Sequence, residues 1–161
     1  MGAHLSESTR RRLDIQGFDR CDDEVLAPVA PWLRLAFGLC VALAAAGLLL
    51  GSPRLLWALV VVASLAALQP VHPFDLVYNL GIRRITGTGP LPGRGAPSRF
   101  ACGLGAVWMT TTIVLLRTGH PFIGRTLGWM LVGVGTLVAT TDICIPSLIY
   151  RSAFGFPARR G

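Results

Sequence analysis

Cys144-Ile145-Pro146-Ser147 has the spacing of a redox Cys-x-x-Cys pair with serine in the second place. A thiol becomes nucleophilic when nearby positive charge stabilises its thiolate, and Arg99 and Arg151 are the candidates to supply that charge. Serine does not resolve a mixed disulfide, so such chemistry needs Cys102 or a partner's thiol. Asp75 and Asp142 are the only acids beyond residue 30. A carboxylate in a membrane helix is costly unless paired, which makes both functional candidates. The structural alternative is ion pairing with Arg83, Arg84, Arg99 or Arg151, locking helix ends together. His72 and Asp75 stand three residues apart and could relay a proton or hold a metal, but Pro73 lies between them. No further ligand stands nearby, so no metal site is expected. The stretch Gly87-Thr88-Gly89-Pro90 lacks the Lys-Ser/Thr ending of a phosphate loop. No nucleophile elbow appears and no cofactor is implied.

The elements that must position these residues are apolar. Of 161 residues, 52% are hydrophobic and 14% charged, with a mean hydropathy of +0.58. The apolar residues come in blocks, the pattern of a membrane protein. All fifteen basic residues are Arg, giving a net charge of +7. They punctuate the apolar blocks, which fits anionic lipid headgroups and not nucleic acid. The four cysteines (21, 40, 102 and 144) form no disulfide framework, and Cys40 reads as a small apolar residue inside a helix.

Residues 1–30 read as a polar arm, mobile or lying on the membrane surface. Residues 31–152 read as a transmembrane domain with four helices, at about 31–50, 55–75, 100–116 and 127–145, the last ended by Pro146. A Gly/Pro-rich connection separates the two pairs, and residues 153–161 form a basic tail. Thr110, Thr111 and Thr112 are tolerated in lipid if their hydroxyls bond back to the helix. With the N-terminus inside, twelve Arg fall on the inner side and three, Arg54, Arg117 and Arg125, on the outer. The positive-inside rule therefore places both termini in the cytoplasm.

An internal echo supports the same topology. Arg34-Leu35-Ala36-Phe37-Gly38-Leu39 matches Arg99-Phe100-Ala101-Cys102-Gly103-Leu104 at four of six positions. Each hexapeptide opens an apolar run, followed by Arg with a nearby Trp, a second apolar run, and Pro then Tyr. The expected fold is all-α, a tandem duplication of a helical hairpin. Two Gly-x-x-x-Gly spacings, Gly47 with Gly51 and Gly124 with Gly128, mark expected points of close helix approach.

The stretch from Pro97 to Leu104, with that from Cys144 to Tyr150, resembles a family of small bacterial four-helix membrane proteins known only as a domain of unknown function. The resemblance covers about residues 28–152 and implies a bacterial inner-membrane location without an activity. In that family the last helix often ends in Cys-x-x-Cys followed by Tyr. This chain keeps Cys144 and Tyr150 but has Ser147 in the second Cys place, which weakens a dithiol role carried over by resemblance. The first functional reading is therefore a non-enzymatic subunit or accessory component, as a homo-oligomer or with a membrane-protein partner. The alternative is a thiol-dependent oxidoreductase using Cys144 with a quinone or thioredoxin-like partner. A second alternative is a small dimeric transporter.

Overall fold

The computed structural model describes residues 5–157, and every regular element among them is helical. Ser6 opens α1 (Glu7–Leu13), its hydroxyl accepting the Thr9 N–H at 3.2 Å. A π-type turn (Asp14–Phe18) follows, and then α2 (Asp23–Leu26). The sequence leads one to expect an arm that is mobile or lies on the membrane surface; residues 5–30 are not loose but packed. Leu13, Phe18 and Leu26 are at most 1% exposed and share a core with Val29, Tyr78 and Leu91. Arg10 pairs with Asp14 at 3.2 Å and with Asp23 at 3.0 Å, so its buried guanidinium has counter-charges as the segment buries its apolar residues.

The chain continues through α3 (Ala30–Leu33) into α4 (Leu35–Leu49), turns at Gly51, and returns as α5 (Pro53–Leu68). A polar connection holds α6 (Asp75–Val77), a π-type turn (Tyr78–Ile82) and α7 (Arg83–Thr86), which stops at left-handed Gly87. Then come α8 (Ala96–Arg117), α9 (Pro121–Thr141) and α10 (Ile145–Phe154). Helix α4 packs on α5 and α9, and α8 packs on the same two, closing a ring.

Three stretches, Ala30–Leu49, Ala96–Arg117 and Pro121–Thr141, are long and apolar enough to cross a membrane, and α5 is a shorter apolar helix. In the apolar 18-residue window of each, only 28%, 28% and 17% of the residues are buried, which leaves much apolar surface on the outside. Lipid is the solvent that accepts such a surface.

Several boundaries differ from expectation for backbone reasons. Helix α5 ends at Leu68 instead of near residue 75, because Gln69 turns extended and Pro70 and Pro73 follow. Helix α9 begins at Pro121, which occupies its first turn, and stops at Thr141 with Asp142 in the left-handed region (φ 59°). Pro146 therefore begins a helix instead of ending one, since a first-turn proline gives up only an N–H that has no helical partner. Of the three adjacent threonines, Thr110 and Thr111 bond back to Ala106 and Val107 at 2.8 and 3.0 Å. Thr112 is fully buried with its hydroxyl unpartnered.

The expected close approaches fall on one glycine pair and half of the other. A Cβ on Gly128 would lie 2.7 Å from Leu48 of α4, and one on Gly124 would lie 2.9 Å from the backbone nitrogen of Leu116 in α8. Gly47 meets Leu56 in the same way, whereas Gly51 serves the turn.

Candidate functional site

The connections, α10 and the N-terminal segment gather at one end of the helical ring, the polar end. Two ion pairs organise it. Asp75, at the start of α6, accepts two hydrogen bonds from Arg94, Nε to Oδ2 at 2.9 Å and Nη2 to Oδ1 at 2.8 Å. Both side chains are nearly inaccessible, at 3% and 1%. Arg94 also donates to the Leu33 carbonyl at 3.2 Å and lies over the Phe37 ring, so one guanidinium ties α3, α4 and α6 together. Burial pulls the Arg94 guanidinium toward neutrality, but the Asp75 carboxylate more than offsets this and holds it charged.

Asp142 pairs with Arg34, Nε to Oδ1 at 2.9 Å and Nη2 to Oδ2 in a second bond. Arg34 also caps the Thr140 carbonyl at 3.0 Å. Arg12 takes the Thr141 carbonyl at 2.8 Å, and Gln16 takes that of Asp142 at 2.8 Å. Cationic donors thus satisfy the last carbonyls of α9, where the helix dipole is negative. Arg99 does the same for α5, donating to Ala67 at 3.0 Å and Leu68 at 2.8 Å.

Asp75 and Asp142 are therefore both paired, with Arg94 and Arg34 instead of Arg83, Arg84, Arg99 or Arg151. Arg83 and Arg84 are exposed on α7, Arg99 caps α5, and Arg151 binds Asp19 at 2.9 Å. Arg94 was hidden by its setting, a lone charge in a Gly/Pro-rich run. The usable signal was that Asp75 needs a buried cation. Arg34 had a clearer one, since it occupies the echo position of Arg99.

Beside these pairs lies a cavity of about 130 Å³. Cys40 from α4, Cys102 from α8, Cys144 at the start of α10, and His72 from the α5–α6 connection all line it. The rest of the wall is apolar, including Phe37, Leu59, Trp108 and Val138. Helix α10 packs on α8, with Tyr150 stacked 5.6 Å from Phe100. Cys144, just ahead of α10, and Cys102 line the same cavity.

Cys144 precedes the first turn of α10 and receives a hydrogen bond from the Ser147 hydroxyl at 3.1 Å. A helix N-terminus and a hydroxyl donor both favour a thiolate. Burial acts the other way and prevails, pushing the Cys144 thiol up while Ser147 partly offsets it. The resting group is a protonated thiol.

His72 is 1% exposed, and burial first, then the nearby Arg94 charge, lowers its pKa to about 4. Its Nδ1 accepts the Phe74 N–H at 3.2 Å, so the neutral ring carries its proton on Nε2. That Nε2 lies 3.8 Å from the Cys40 sulfur, a weak acceptor. No cluster of three or more His, Cys, Asp or Glu with metal-binding geometry occurs among the described residues.

The fold and site define an all-helical protein with membrane-length apolar helices and a thiol-lined cavity at one end. Residues 30–153 match the family described as Domain of unknown function (DUF4395), and the chain belongs to that family. No curated protein and no solved structure matches it.

Proposed function

We propose that the chain is a four-pass protein of a bacterial inner membrane, and that it acts as a thiol-dependent oxidoreductase through Cys144. The observation that carries the activity is the convergence of Cys40, Cys102 and Cys144, distant in sequence, with His72 on one cavity. Cys144 and Cys102 are the reacting pair. Together they release two protons and two electrons and close a disulfide, reducing an oxidant of the quinone or protein-disulfide class.

Two features support the four-pass reading. Helix α5 has 16 residues, about 24 Å long, and packs between α4 and α8, which supports a crossing beside them. Arg34 and Arg99 hold equivalent places in the two echoed hexapeptides, and each caps the second helix of the other hairpin. This reciprocal arrangement supports a duplicated hairpin. The Arg distribution favours cytoplasmic termini. Gly89→Cys should then label with an impermeant maleimide only after spheroplasts are lysed, and Thr118→Cys should label in intact ones. The reverse pattern would overturn the topology.

For the activity, the full chain in nanodiscs is titrated with defined thiol–disulfide buffers and read by mass spectrometry. A Cys102–Cys144 disulfide should form at a defined potential, survive Cys40→Ser and vanish in Cys144→Ser. A Cys144 that stays reduced throughout sinks the proposal.

A second reading, a non-enzymatic subunit or accessory component, is favoured by the two ion pairs. They commit both acids beyond residue 30 to holding helix ends. On that reading the thiols are packing residues and remain reduced throughout the titration.

A further inference from the structure

The thiols that face the cavity are closed to large partners. Cys144 is 3% and Cys102 8% exposed, so a protein disulfide has no in-line approach to either sulfur. An oxidant that reaches them must be small. The cavity's volume of about 130 Å³ is close to that of an engineered apolar cavity that binds benzene, so it suits one six-membered ring. Its wall carries no charged side chain, which selects a neutral ligand. Along α4 the lining runs from Phe37 to Ala44, a rise of seven steps, so the cavity reaches about 10 Å into the apolar helices.

Two further features narrow the ligand class. The Nε2–H of His72 faces the cavity with only the weak Cys40 sulfur as acceptor, leaving a donor ready for a carbonyl oxygen. On the outer surface a shallow groove lined by Ala67, Arg99, Phe100, Gly103, Leu104 and Val107 shares Leu104 with the cavity wall. A Cβ on Gly105, which lines the cavity next to Leu104, would meet nothing within 4 Å, so no neighbouring side chain fills the space beside Leu104.

We propose that the cavity is a quinone site reached from the bilayer, with a ring carbonyl accepting from His72 Nε2–H and the hydrocarbon chain lying in the Leu104 groove. This rests on the thiol reading for its chemistry. The Cys102 and Cys144 thiols pass two electrons and two protons to the ring, giving one disulfide and one quinol.

The test uses the full chain in nanodiscs titrated with decylubiquinone. Trp108 fluorescence, taken as the difference from Trp108→Phe, and the Cys102–Cys144 disulfide are read in parallel. Saturable quenching of Trp108 is expected, with an apparent Kd about tenfold weaker in His72→Phe. Binding should be restored in His72→Gln, which keeps a donor, and lost in Ala63→Leu, which fills the cavity. Non-saturating quenching, or quenching unmoved by Ala63→Leu, overturns the site. Saturable quenching without a disulfide supports the site and sinks the thiol reading. A disulfide formed without Trp108 quenching upholds the thiol reading and overturns the site.

Discussion

Asp75→Asn alone, or Arg94→Gln alone, should destabilise the protein by about 3–5 kcal/mol, measured by unfolding in mixed SDS micelles. Each substitution leaves one charge buried without its counter-charge. The Arg94 side chain is 1% exposed and the Asp75 side chain 3%, so water cannot compensate. The double substitution Asp75→Leu with Arg94→Met should cost much less than the sum of the singles, because it removes both charges together. Arg34→Gln is the contrasting case. The Arg34 side chain is 38% exposed but that of Asp142 only 6%, so losing this half-screened pair should cost about 2 kcal/mol, less than the fully buried one. Equal losses for Arg94→Gln and Arg34→Gln would show that burial does not set the difference.

The second large effect is expected at Gly95. The N-terminal segment crosses the start of α8 backbone to backbone. A Cβ on Gly95 would lie 2.4 Å from the Gly17 carbonyl oxygen and 2.8 Å from its Cα. No side-chain rotation relieves that clash, and Gly17 itself has φ of +103°, where an L side chain is strained. Gly95→Ala should therefore lift the segment off α8, at a cost of about 3 kcal/mol. Tryptic cleavage after Arg10, Arg11 and Arg12 should accelerate sharply. Gly89→Ala, which meets nothing within 4 Å, should leave the cleavage rate unchanged. If both variants are cut at the wild-type rate, the crossing does not hold the segment.

These two sites mark where the sequence stops being readable. The long apolar helices are visible in hydropathy alone, because lipid demands uninterrupted apolar runs whatever their neighbours do. Helix ends are less visible. Pro146 reads as a stop, yet the polar turn at Asp142 has already ended α9 and frees the proline to start α10. The N-terminal segment was opaque for a different reason. Leu13, Phe18 and Leu26 make no helical stripe, and their core is completed by Tyr78 and Leu91 from beyond α5. Of the site, Cys102, Cys144, Asp75 and His72 stood out by residue type. Cys40 passed as filler, since only packing of α4 beside the His72 connection brings it to the cavity.

The clamp on α9 has a consequence for how the protein is made. Arg12 and Gln16 bind the carbonyls of Thr141 and Asp142, 129 and 126 residues further along the chain. Translation at about 5–20 residues per second puts on the order of 10 s between the two ends of that contact. The N-terminal segment can pack on α3, Tyr78 and Leu91 as these are made, but its grip on α9 closes only once α9 is in place. A chain cut short before α9 would lack these two bonds, and its N-terminal segment should be more open to proteases than that of the full chain.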